Sequence, residues 1–157
     1  MQYKVTVSGL ILDPDSNTPI LILKSEEDDQ VIPIWIGLLE ATAIATSLKS
    51  IHFDRPMTHD LFLNYVQLTG AVVSSVEVCD IKDSTFYAKI NFSSSEASFS
   101  LDSRPSDAIA IALAVDAPIF VSEHVIEKAQ TIDLEKDGDQ LKEWLENLNP
   151  EDFKYKA

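Results

Sequence analysis

From Asp107 to Val115 the chain reads as a helix with no polar face: Ala108, Ile109, Ala110, Ile111, Ala112, Leu113 and Ala114 follow one another without interruption. A helix that is apolar all round is buried, so the remaining elements have to cover it from more than one side. The approach to it is the opposite in character. Asp102-Ser103-Arg104-Pro105-Ser106-Asp107 sets two carboxylates, an arginine and two hydroxyls within six residues. Charges tolerate such a position only when paired, bonded to backbone or bound to a ligand. This segment is therefore either a rigid structural corner or the floor of an active site.

The rest of the chain supplies the cover. Tyr3, Val5 and Val7 alternate with polar residues at the period of a half-buried strand, and Gly9 breaks the phase, which predicts a bulge. Residues 20–23 and 31–36 predict a hairpin around the acidic tip Glu26-Glu27-Asp28-Asp29, with Pro33 placing its strand at an edge or a bulge. A helix is expected over residues 38–50, with Ala41, Ile44, Ala45 and Leu48 as its stripe. A second is expected from Thr58, an N-cap, to about Thr69. Leu61, Phe62, Tyr65, Val66 and Leu68 form its inner face and Gly70 its C-cap. Three strands follow over 72–81, 86–92 and 97–101. Ala97, Phe99 and Leu101 point inward, and Asp102 falls in phase with Ser98 and Ser100 on the polar face. Ser106 is expected to cap the central helix, and a short strand at 118–121 precedes a short helix from Glu123. From 133 onward composition shifts to an acidic extension, with a short amphipathic helix over 140–148 carrying Leu141, Trp144, Leu145 and Leu148. Strands and helices without regular alternation argue an α+β domain over 1–132 and an extension over 133–157.

A formal charge of −14 restricts the partners. An acidic surface repels phosphate backbones, and no basic stripe with interleaved aromatics exists to offset it. A nucleic-acid ligand would then require divalent cations at the contact or a basic protein partner. No apolar run reaches the roughly 18 residues of a membrane span, so no membrane contact is expected. The start lacks the basic-then-apolar build of a signal peptide, and the single Cys79 can form no internal disulfide. A cytoplasmic protein is the expectation.

Three helix starts carry an acid, Glu40, Asp60 and Asp107, and two of them follow Arg-Pro, at Arg55-Pro56 and Arg104-Pro105. Acids in a first turn complement the helix dipole and proline suits helix entry, which is a complete structural account. The chemical account treats Glu40, Asp60, Asp102 and Asp107 as ligands of Mg²⁺ or Mn²⁺, hard cations that take carboxylate oxygens. Two such ions could clamp a phosphodiester. Arg55 and Arg104 would hold phosphate oxygens through their planar forks, with Ser103 and Ser106 beside them. His59 would serve as general acid or base next to Asp60, Asp102 and Asp107, imidazole being the side chain that titrates nearest neutral pH. Spacing along the chain leaves both accounts open. Trp35-Ile36-Gly37 reads as core and turn. His52 and His124 receive no role, and there is no Gly-rich phosphate loop or nucleophile elbow.

At these residues the chain resembles the bifunctional nuclease domain family. The matching blocks are Ile32-Pro33-Ile34-Trp35-Ile36-Gly37 with Glu40-Ala41, Arg55-Pro56 with Thr58-His59-Asp60-Leu61, and Asp83-Ser84-Thr85-Phe86-Tyr87-Ala88. Asp102-Ser103-Arg104-Pro105-Ser106-Asp107-Ala108 and Ala117-Pro118-Ile119 complete the set. The resemblance implies a compact α+β domain, with helices packed on a strongly bent sheet. The expected architecture is therefore a bent, mostly antiparallel sheet with two to three helices, plus a short C-terminal helix. It further implies hydrolase activity, as an RNase and a DNase. Against a metal-assisted nuclease stands a reading from another class, a non-catalytic binding or regulatory domain recruiting a basic protein. A homo-oligomer is a further expectation, on the ground that apolar strands at 20–23 and 31–36 need cover.

Overall fold

The structure, a computed structural model, describes residues 1–129 together with 132–133. In chain order the elements are β1 (Gln2–Leu12), β2 (Pro19–Ser25), β3 (Gln30–Trp35), α1 (Leu38–Leu48), α2 (Thr58–Leu68), β4 (Val72–Lys82), β5 (Thr85–Ser93), β6 (Ser98–Ser103), α3 (Pro105–Val115), β7 (Ile119–Ser122), α4 (Glu123–Lys128) and the two-residue β8 (Ile132–Asp133). The strands make one mixed sheet in the order β6-β5-β4-β7-β1-β2-β3-β8. Every pairing is antiparallel except β4 with β7. The α+β architecture is as expected. The helix expected over 140–148 lies outside the described residues.

Local chemistry explains the elements. At Gly9 the register of β1 against β2 slips, at a φ of 159°. Asp83 and Ser84 both hold positive φ between Lys82 and Thr85, the two-residue turn whose twist suits a hairpin. Pro33 pairs inward with Ile22, while on the other side β8 pairs with Gln30 and Val31. Thr69, not Gly70, is the C-cap of α2, and Gly70 follows it at φ +78°.

α3 is the hub. Ala108, Ile109, Ala110, Ile111 and Ala112 are buried, and the helix packs against α1, α2, β4 and β5. Its start differs from expectation: Arg104 is the N-cap and Pro105 the first helical residue, so Ser106 lies inside the first turn, buried. The fixed φ of proline initiates the helix two residues early. Likewise Met57, not Thr58, caps α2.

Two expectations about the core are corrected. On α2 only Val66 is buried, with Phe62 and Leu63 partly so, whereas Leu61, Tyr65 and Leu68 face solvent. On β6, Phe99 and Leu101 lie on the helix-bearing face beside Phe92 and Ile90 yet stay half exposed, because β6 ends the sheet. The strands at 20–23 and 31–34, by contrast, are buried and need no partner for cover. Trp35 is half exposed, its indole N–H donating to Asp13 Oδ2 at 3.0 Å.

Candidate active site

α1, α3 and the segment leading into α2 enclose a cleft of about 500 Å³. Leu39, Ile51, Phe53 and Met57 form apolar wall, and Glu40, His59, Asp60, Arg104 and Asp107 form the charged part. Four of these join in one chain of contacts. His59 Nε2 lies 3.0 Å from Asp107 Oδ1. Arg104 donates from Nε to Asp107 Oδ2 at 2.8 Å and from Nη2 to Asp107 Oδ1 at 3.1 Å. Its Nη1 donates to Glu40 Oε1 at 2.8 Å. Residues 64 positions apart are thus tied by a single guanidinium. These three bonds leave two of the five N–H groups of an arginine free to meet a ligand.

The local folding is legible. Arg104 and Asp107 flank the Pro105 start of α3 and meet at i,i+3. His59 sits in the first turn of α2 and Glu40 in the first turn of α1, so the starts of three helices meet at the cleft. Gly37 makes the last contact possible. A Cβ there would fall on Glu40 Oε2, so only glycine lets the carboxylate fold back over the helix start. The sequence reading gave Gly37 no such role. Its signal is a glycine placed three residues ahead of the acid.

Electrostatics follow from these contacts. The Glu40 carboxyl is held below its ordinary range, first by its own backbone N–H and then by Arg104. Burial works against ionisation of Asp107, but the bonds from Arg104 and His59 outweigh it and its pKa is lowered. Asp107 and then Glu40 raise the pKa of Arg104, which stays protonated. Both acids are depressed in the folded state, so they contribute stability above their unfolded values near pH 4 and lose it as pH falls through the lower folded values. The melting temperature of the wild type is therefore expected to fall more steeply below about pH 4 than that of Glu40→Gln. Thermal melts across an acid series check this.

The remaining candidates do not join the cluster. Asp60 lines the cleft, but its Oδ2 accepts the Met57 N–H at 2.9 Å, an N-terminal cap. Asp102 stands opposite Lys89 on the other face of the sheet, beside the Glu77–Lys89 pair, as the strand alternation requires. Ser103 Oγ is buried and Ser106 is buried, and neither lines the cleft. Arg55 is exposed in the loop after α1, with no ion pair among the described residues. Among the described residues no three of His, Cys, Asp and Glu are grouped to hold one metal ion. The four-carboxylate cage is therefore not assembled among the described residues, and Glu40 and Asp107 are joined through Arg104. A second His–Asp contact, His124 Nε2 to Asp80 Oδ1 at 3.0 Å, lies apart from this cleft and had no sequence signal, its partners being 44 positions apart.

A cleft of this kind on this α+β frame coincides with a family match. The chain belongs to the bifunctional nuclease domain family, whose model matches residues 21–133 and so includes the whole charged chain. It is similar to an uncharacterized protein, Rv1829, of Mycobacterium tuberculosis (strain ATCC 25618 / H37Rv), at 35% identity over 163 residues, 96% of this chain and 98% of that protein. It is also similar to Bifunctional nuclease 1 of Oryza sativa subsp. japonica, at 26% identity over 109 residues, 67% of this chain and 33% of that protein. Among the described residues no helix is long and apolar enough to cross a membrane.

Proposed function

We propose that the chain is a nuclease that hydrolyses phosphodiester bonds of RNA or DNA at the Glu40–Arg104–Asp107–His59 cleft. The observation that carries this reading is the unbroken chain of contacts from Glu40 to His59 at an open cleft. His59 exchanges the proton, with Asp107 orienting its imidazole and offsetting its charge when protonated. Arg104, aimed by two carboxylates, offers its remaining N–H groups to a phosphate oxygen. The apolar wall from Ile51, Phe53 and Met57 accommodates the flat parts of a nucleotide. A divalent cation belongs to the proposal: Mg²⁺ or Mn²⁺ takes only one or two protein carboxylates, here Glu40 and Asp107, and would neutralise phosphate charge beside a strongly acidic protein. The match to a relative named a nuclease supports the reaction class. A cytoplasmic setting fits the single cysteine.

Purified full-length chain is expected to cleave single-stranded RNA or DNA oligonucleotides with Mg²⁺ or Mn²⁺ and to stop with chelator. Cleavage that persists in chelator removes the cation from the mechanism. No cleavage of either polymer under any condition removes the mechanism itself. A second reading, a non-catalytic regulatory domain that recruits a basic protein, is favoured by one observation: Arg104 already spends three bonds on its own chain's acids. On that reading the cluster is scaffolding, and its substitutions lower the melting temperature while no polymer is cut.

A further inference from the structure

The flank of the molecule formed by α2 and β6 is patterned for burial and left uncovered by the described residues. Leu61, Tyr65 and Leu68 recur at i, i+4 and i+7 on α2 and are 64%, 67% and 86% exposed. Asp60, Leu63, Asn64 and Gln67 face the groove against the end of α3. The apolar triad therefore points to the other side of α2, away from α3. That side adjoins the sheet edge, because the Phe62 ring contacts Phe92 at 6.3 Å and Phe92 stacks on Phe99 at 5.1 Å. Phe99 and Leu101 on β6 are each 45% exposed.

β6 is also a bare edge. It pairs with β5 on one side and with no strand on the other among the described residues. Edge strands are ordinarily blunted by lysine, proline or a bulge, and β6 has none of these. Its single charge, Asp102, lies on the opposite sheet face with Lys89. The flank is further set apart by charge. Residues 61–76 and 97–101 contain no Asp, Glu, Lys or Arg, in a chain that carries −14 overall. A basic partner would have nothing to pair with there, whereas a second copy, equally acidic elsewhere, would meet a neutral surface.

We propose that this flank is a two-fold interface between two copies of the chain, with β6 pairing antiparallel to β6 of the partner and the α2 stripes closing over the joint. Isologous symmetry suits an antiparallel strand pair, since each residue meets its counterpart under one rotation. With Ser100 on the axis, Phe99 stands opposite the partner subunit's Leu101, and Asp102 opposite the partner subunit's Ser98. Apolar side chains then meet apolar ones, and no like charges face each other. The five exposed side chains offer on the order of 500 Å² per copy, and the strand backbone adds to it toward the roughly 800 Å² per partner of a stable interface. The apolar strands at 20–23 and 31–36, on which the sequence-based expectation of self-association rests, play no part.

Light scattering on the full chain at tens of micromolar is expected to give twice the 17.4 kDa of one copy. Tyr65→Glu with Leu68→Glu, both at exposed positions, is expected to give the single-copy mass with an unchanged circular-dichroism spectrum. In a Cys79→Ser background, Ser100→Cys is expected to cross-link two chains on oxidation. A monomeric wild type overturns the proposal, whatever else covers the flank. So does a dimer that survives both glutamates, or one that Ser100→Cys fails to link.

Discussion

Asp107→Asn is expected to lower the rate of phosphodiester cleavage by about 100-fold or more, the scale on which a positioned acid–base group contributes. The carboxylate has two tasks that its amide cannot share. Asp107 Oδ1 accepts from His59 Nε2 at 3.0 Å, and the same group takes two N–H bonds from Arg104. An asparagine places a neutral amide between two cation-forming side chains, so imidazolium is no longer offset and the guanidinium loses its bidentate partner. Asp102→Asn, five residues earlier, is expected to leave the rate unchanged because its side chain belongs to the other face of the sheet. The two variants assayed side by side on one oligonucleotide, with melts to confirm folding, separate a local effect from a charge effect.

Ile109→Ala is expected to cost about 3 kcal/mol, within the range for truncating a fully buried aliphatic side chain. Ile109 is 0% exposed at the middle of α3, the helix that packs on α1, α2, β4 and β5 at once. A cavity there has no flexible neighbour to refill it, because α3 is surrounded by other buried side chains. The melting temperature is expected to fall by roughly 10 °C. Cleavage below the transition should change far less, since Arg104 and Asp107 are placed by the first turn of the helix and not by its centre. Denaturant unfolding of the variant checks the magnitude.

Much of this architecture was readable from residues. The unbroken apolar run of α3 required a central helix, the Gly9 phase break marked the bulge, and the alternation through Ser98, Ser100 and Asp102 already put Asp102 on the polar face. That same alternation should have excluded Asp102 from a shared cluster. The Arg104–Asp107 half of the site was legible because the two residues are one helical turn apart. Its completion by His59 and Glu40 was not, since nothing local reports which helix N-termini meet in space. Pro105 is a helix entry signal, and a cap at Ser106 falls two residues too late for a ring that itself initiates the helix. On α2 the period announced an apolar face but could not say what covers it. Leu61, Tyr65 and Leu68 are apolar by pattern and bare in the folded chain.

The claim that joins these observations is that His59 and Asp107 act as one catalytic unit. A double-mutant cycle of His59→Ala and Asp107→Asn, read as the rate of oligonucleotide cleavage, tests it directly. If the pair is one unit, the double variant is no slower than the slower of the two single variants. Losses that multiply, or single variants that cleave as fast as the wild type, would contradict it.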